Sequence, residues 1–396
     1  MARIYLDNHA TTRIDPAAMD AVHRMSADEY ANSGSVTHAA GRAVAEQVAV
    51  AIANLAKHLH ASPDELVMTS GATESNNLAL MGVCLHPRQK RRRIVSTQTE
   101  HRAVLDPLER LQKIGFEVCL LPVFPQGHPQ CGQIDLDQAR DKIDESTALV
   151  SVLLANNEIG VIQPISDIVK LCRRWDVPLH SDATQAIGHF DVDVDQLDVD
   201  LMSFSGHKFY GPKGVGGLFV RHRERRVKLS PQIVGGGQQD NRRSGTLNSP
   251  GIVGMSVALD ICSRHAESER PNIERMRNQL WAMIETATRG EVTLNGPALD
   301  SPSRLTRNLN CHWNHVEGQS LMLACPDLCI SSGSACTSAN PAPSHVLQAI
   351  GLSVEQARCS LRFGLGRFNE PHEIESAAAV LVDAYKKLRL LNNTIQ

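Results

Sequence analysis

The chain has 396 residues, of which 42% are hydrophobic and 21% charged; that is enough apolar material for a full core without staples, and enough length for a large domain with a smaller companion. Forty Lys and Arg against 43 Asp and Glu give a formal net charge of −3, so neither nucleic acid nor an anionic membrane is an expected partner. Ten cysteines include no C-x-x-C pair, which argues against a zinc finger or a thioredoxin-type motif; free thiols are expected and no metal site is predicted.

From the N-terminus onward, the chain shows no apolar leader stretch and no segment apolar over a bilayer's width, so a cytoplasmic protein is expected. Between about residues 64 and 220, short β-branched runs alternate with amphipathic stretches, the pattern of βαβ units and a parallel-rich sheet. Strands are predicted at 65–69, 93–96, 118–123, 148–154, 177–180, 201–204 and 217–220, with helices over 103–113 and 165–175. The basic run at 88–93 reads as a solvated connection. Beyond residue 230 come a Gly-rich turn at 234–237 and a long helical pattern over 272–288 that leads to a second domain. That domain holds strands near 292–294, 306–311 and 327–330 and a helix over 373–391. The fold class is α/β.

In an open α/β sheet, ligands bind past the carboxyl ends of the strands. Ser70-Gly71-Ala72-Thr73-Glu74, His101, Asn156-Asn157-Glu158, Asp182-Ala183-Thr184-Gln185 and Ser205-Gly206-His207-Lys208 all follow predicted strands. Polar groups thus converge on one rim. Gly71-Ala72-Thr73 opens a helical stretch, where backbone N–H groups can meet an anion, and Ser205 and His207 add donors. Asp182 suits a protonated ring nitrogen and Lys208 a Schiff base, the two needs of pyridoxal phosphate (PLP). No G-x-G-x-x-G follows the first strands, which argues against a dinucleotide site. Taken singly, each residue has a plainer reading: Lys208 as a surface lysine, Asp182 as a helix cap, His101 as a core histidine, Arg362 as an ion-pair partner and Cys336 as a small packing residue.

Longer blocks run in order along nearly the whole chain. They are Tyr5-Leu6-Asp7-Asn8-His9-Ala10-Thr11-Thr12, Thr69-Ser70-Gly71-Ala72-Thr73-Glu74-Ser75-Asn76-Asn77, Glu100-His101 and Asn156-Asn157-Glu158-Ile159-Gly160. Asp182-Ala183-Thr184-Gln185, Ser205-Gly206-His207-Lys208-Phe209-Tyr210-Gly211-Pro212-Lys213-Gly214, Arg243-Ser244-Gly245-Thr246, Ser331-Ser332-Gly333-Ser334-Ala335-Cys336 and Leu361-Arg362-Phe363 follow. On these blocks the chain resembles the NifS/IscS-type cysteine desulfurases, within the class-V aminotransferase-like, fold-type I PLP enzymes.

The resemblance implies a large PLP-binding domain over 15–262, with a mainly parallel sheet flanked by helices, and a smaller α+β domain from 1–14 and 263–396. It makes Lys208 the cofactor anchor and the base for the α-proton, with Lys213 the rejected rival. His101 would stack on the cofactor ring and move protons, Asp182 would bond the ring nitrogen, and Gln185 would lie near the ring hydroxyl. Asn157 would contact cofactor and substrate. Ala72, Thr73, Ser205 and His207 would hold the phosphate. Thr246 would reach the phosphate of a neighbouring subunit, implying a homodimer, and Arg362 would clamp the carboxylate of L-cysteine. Cys336, among small, polar and proline residues, would take the sulfur as a persulfide and leave L-alanine. The persulfide would pass to an acceptor protein in iron–sulfur cluster assembly or thiolation; Cys325 and Cys329 read as packing residues. The chain departs from the family pattern at Gln238-Gln239-Asp240-Asn241 and at Asn32-Ser33-Gly34-Ser35, which lacks a proline; these bear on the subunit contact, not on the reaction. Rival readings are a selenocysteine lyase, an aminotransferase, which has no use for a loop thiol, and a scaffold without catalysis.

Overall fold

The computed structural model describes residues 3–223, 225–332 and 342–395. Strand β1 (Ile4–Tyr5) opens the chain, and the helices Pro16–Ala27 and Ala39–His58 follow. Seven strands then build one sheet: β2 (Leu66–Thr69), β3 (Arg93–Thr97), β4 (Glu117–Leu121), β5 (Thr147–Ser151), β6 (Leu179–Asp182), β7 (Leu201–Ser205) and β8 (Gly216–Val220). Each overlaps a strand predicted from the sequence. Runs such as Thr147–Ser151 and Leu201–Ser205 are buried at every position, as expected of strands covered by helices on both faces.

The sheet order is β2-β8-β7-β6-β5-β3-β4. Strand β8 runs antiparallel to both its neighbours and the other pairings are parallel. The carboxyl ends of β2, β3, β5, β6 and β7 therefore share one rim, and the residues past them can meet. The predicted strand over 148–154 is shorter than expected, because the Leu153 N–H turns away to donate to the Glu100 carboxyl at 2.6 Å.

The helix predicted over 272–288 begins much earlier and runs unbroken over Ser249–Thr288, with Pro271 inside it. Its first half carries Ile252, Met255 and Leu259 at helical spacing, interleaved with small buried residues such as Gly251, Gly254 and Ser256. A Cβ on Gly254 would lie 2.5 Å from Val22 Cγ2, so only glycine lets the helix Pro16–Ala27 come this close. This long helix serves two cores. Its Ile252, Met255 and Leu259 pack with Phe204, Met202 and Leu55 of the sheet layer. Its Met276, Leu280 and Ile284 pack with Trp313, Leu309 and Phe363. The second core also takes Leu6 from the N-terminal segment and Leu381 from the closing helix Pro371–Ile395.

Strands β9 (Val292–Leu294), β10 (Asn308–Trp313), β11 (Leu328–Cys329), β12 (Ser331–Ser332) and β13 (Ser360–Gly364) follow the long helix. They form a four-stranded antiparallel sheet in the order β12-β13-β10-β9, while β11 pairs in parallel with β1. The strand predicted over 327–330 is realised as β11 alone, and β12 begins just past it. Among the described residues, no helix is long and apolar enough to cross a membrane.

Gly160, past β5, has φ of +72°, and a Cβ there would sit 2.7 Å from Asn308 on β10. Gly160→Ala combines left-handed strain with overpacking and should destabilise the protein by about 2–4 kcal/mol. Urea denaturation of the two proteins checks this through the midpoint.

Candidate active site

The rim assembles around Lys208, at the end of the short helix Gly206–Lys208 that follows β7. Its Nζ donates to the backbone carbonyls of His9 at 2.7 Å and Ala10 at 2.8 Å. Lys213 is exposed in the turn beyond. Asp182, the last residue of β6, is buried, and its Oδ2 accepts from Asn76 Nδ2 at 2.7 Å while Oδ1 accepts from the Thr184 N–H at 2.9 Å. Asn76 was not singled out by sequence; it lies one turn beyond Ala72 on the inner face of the helix Ala72–Cys84.

His101 caps the helix Arg102–Lys113: its Nδ1 accepts the Ala103 N–H at 3.0 Å. That bond leaves the proton of the neutral ring on Nε2. One side of the ring stays open to solvent, but crowding by protein lowers its pKa first, with the Lys208 charge adding to the effect and Asp182 opposing it. The charges of Asp182 and Lys208 thus both act on this ring.

The helix Ala72–Cys84 starts at Gly71, whose φ is +148°. A Cβ there would be 3.4 Å from Ser205 Oγ, so a bare glycine keeps the gap between helix start and Ser205 open. The first N–H groups of the helix, including those of Ala72 and Thr73, have no intrahelical acceptors. His207 Nδ1 pairs with Thr11 Oγ1 at 3.0 Å. Burial, with Lys208 and Lys213 nearby, takes the His207 pKa down to about 4, so the ring is neutral at ordinary pH.

Gln185 is buried and faces the N-terminal segment. Its Nε2 donates to the His9 carbonyl at 3.0 Å, and its Oε1 meets His9 Nδ1 at 2.9 Å and Arg307 Nη2 at 3.1 Å. Asn156 is consumed locally, accepting from the N–H groups of Glu158 and Ile159 and donating to the Thr99 carbonyl. Asn157 beside it is half-buried, and its side chain makes no hydrogen bond among the described residues.

Arg362 is buried on β13 and donates to Asp7 Oδ1 at 2.9 Å and Ser331 Oγ at 3.2 Å; its Nε has no partner among the described residues. Glu158, fully enclosed, binds the hydroxyl of Ser344. Its pKa is pushed up to about 7, with burial the leading cause and Ser344 and Arg362 opposing. Thr246 is exposed in a segment held to β2 by Gln239 and to the helix Ala72–Cys84 by the Arg243–Glu74 pair. No bond among the described residues draws it to the rim. Cys336 lies outside the described residues. Of the groups not singled out beforehand, His9, Glu100 and Glu158 sat inside recognisable blocks, whereas Arg307 carried no signal at all.

The aminotransferase class-V family model matches residues 4–376. A cysteine desulfurase IscS of Methylococcus capsulatus is 44% identical over 98% of this chain and 93% of its own length. Among solved structures, a NifS-like protein superposes with a TM-score of 0.87 at 32% identity, covering 98% of this chain and all of the other. A structure described as SspA in complex with cysteine superposes with a TM-score of 0.76 at 33% identity, covering 91% of this chain and 98% of the other. The chain belongs to the aminotransferase class-V family, in its NifS/IscS-type cysteine desulfurase group.

A carboxyl with a folded pKa near 7 and an ordinary unfolded value near 4.5 binds more protons folded than unfolded between those pH values, so its stabilising effect declines as pH rises through 7. Glu158→Gln removes that decline. Relative to the parent, the variant should gain about 1–3 kcal/mol between pH 5 and pH 8, read from urea denaturation at each pH.

Proposed function

We propose that this chain is a PLP-dependent cysteine desulfurase whose acceptor of the substrate's sulfur is Cys336. The observation that carries the reading is that the buried carboxylate of Asp182 and the amine of Lys208, the latter held by the His9 and Ala10 carbonyls, stand at the carboxyl ends of the adjacent parallel strands β6 and β7.

The donor set fits the cofactor. Gly71 keeps space beside Ser205 where a phosphate would sit, and Ala72 and Thr73 at the helix start and His207 would add their donors to it. Thr184 Oγ1 and Arg362 Nε are buried without partners among the described residues, as expected of groups that await a ligand. Asp182 would face the ring nitrogen and Lys208 would hold the cofactor covalently. Gln185 would approach the ring hydroxyl. When bound, PLP supplies an electron sink for the pair left on the substrate's α-carbon.

The chain's own residues do the remainder. Arg362 and Asn157 would orient the substrate, the guanidinium gripping its carboxylate. Lys208 Nζ would take the α-proton, and His101 Nε2 would hold or pass a proton at the substrate's sulfur side. The thiolate of Cys336 would form a bond to the substrate's sulfur as the carbon–sulfur bond breaks, so L-cysteine becomes L-alanine and Cys336 a persulfide. Reach supports this role. Ser331 pairs with Arg362 across β12 and β13, and Cys336 follows Ser332 by four residues, a span of at most about 14 Å. On the far side of Cys336, Ser344 is bound to Glu158 and His345 to the Glu100 carbonyl.

The same proposal includes a homodimer in which Thr246 serves the partner's site, an acceptor protein for the persulfide, and a cytoplasmic setting. It also takes 15–262 as the cofactor-binding unit and 1–14 with 263–396 as the smaller one; the core of Leu6, Trp313, Phe363 and Leu381 lies within the smaller unit, while the sheet-layer core also takes Leu305, Val346 and Leu347 from it.

Cys336→Ser should retain the coloured cofactor and lose alanine production; unchanged turnover would overturn the role of this thiol. After borohydride reduction and digestion, mass spectrometry should find the cofactor adduct on the Lys208 peptide and none in Lys208→Ala. An adduct on Lys213 would move the anchor. Arg362→Ala should raise KM for L-cysteine roughly ten- to hundred-fold.

A further inference from the structure

Behind the Lys208 rim lies a second cavity of ≈ 240 Å³, lined among others by His189, Tyr210, Glu269, Arg270, Arg304 and Arg307. None of the residues assigned above to cofactor or substrate lines it.

Its charges do not balance. Arg304 and Arg307 are both buried, and every bond they make among the described residues goes to a neutral group. Arg304 is held by the carbonyls of Asn295, Pro297 and Asn308 and by the Asn308 side chain. Arg307 is held by His189, the Asn8 carbonyl and Gln185, and its Nε has no partner among the described residues. Arg270 is exposed at the same cavity and makes no ion pair among the described residues. Three arginines therefore line a cavity whose one acidic lining residue, Glu269, is already paired with Arg367. Buried charge without a counter-charge is unfavourable, and nearby carbonyl dipoles offset it only in part. Burial accordingly draws the pKa of Arg304 down to about 9 and that of Arg307 to about 10.

We propose that this cavity is a binding site for a small oxyanion, one whose charge is spread over two or more oxygens, as in phosphate, sulfate or a small carboxylate. Guanidinium groups match such ions in shape and charge. The site also touches the reaction centre indirectly. Arg307 spans from the cavity wall to Gln185 and Asn8, and His189 bonds the Lys208 carbonyl at 2.8 Å. The inference does not depend on the desulfurase reading, since anion binding needs no turnover.

The test is calorimetric titration of the PLP-loaded enzyme with sodium phosphate, sodium sulfate and sodium acetate, at fixed ionic strength made up with chloride. The expected result is one saturable site per chain that persists in saturating L-alanine and weakens roughly tenfold in Arg270→Glu. Tighter phosphate or sulfate marks an inorganic ion as the occupant, and tighter acetate marks a carboxylate metabolite. Arg307→Gln should abolish binding; the exposed Arg270 variant decides the matter if that protein fails to fold. No saturable heat with any anion, displacement by L-alanine, or indifference to Arg270→Glu would each overturn the proposal.

Discussion

The ammonium of Lys208 is gripped by the carbonyls of His9 and Ala10, and much of the site's geometry follows from that grip. It draws the N-terminal segment across the carboxyl rim of the large sheet. From there Asp7 reaches Arg362 on β13, while His9 turns its ring to Gln185 past β6. A run of a few residues thus links the end of β7, the end of β6 and the antiparallel sheet. The amine is held by the same segment that anchors the arginine proposed to receive substrate.

Such a site works against burial. Glu100, Glu158, His180 and Arg362 are all enclosed, and removing charge from water is unfavourable unless partners compensate. The carboxyls respond by shifting upward: Glu100 lies well above the usual range through burial and the nearby charge of Asp182, and Glu158 lies near 7. His180 shifts the other way, to about 4, its ring held between the hydroxyls of Ser151 and Ser203. The two apolar cores on either side, joined by the helix Ser249–Thr288, provide the stability that offsets these buried polar groups.

Legibility followed the reach of each interaction. The strands of the large sheet read directly, since a strand covered on both faces must be a short apolar run. The rim residues were readable one step later, because strand ends fix where their successors lie. The first half of the helix Ser249–Thr288 was missed although Ile252, Met255 and Leu259 keep a helical spacing, because Pro250, Gly251 and Gly254 among them read locally as helix breakers. Arg307 matters through a contact 122 residues away along the chain and lies in no recognisable block, whereas Asn76 lies in one but its bond to Asp182, 106 residues away, does not show there. His101 was legible as a polar residue after a strand, but not as the cap of the next helix, with Nδ1 occupied.

By itself, the sequence determined the α/β class, the order of the strands along the chain and the set of residues gathered at their carboxyl ends, because each depends on local alternation of apolar and polar residues. Only the tertiary structure decided the antiparallel insertion of β8 and the crossing of the N-terminal segment over Lys208. It alone also brought the three arginines to one cavity. Those depend on which distant surfaces pack together, and packing is chosen by shape and charge across space, not by neighbours along the chain.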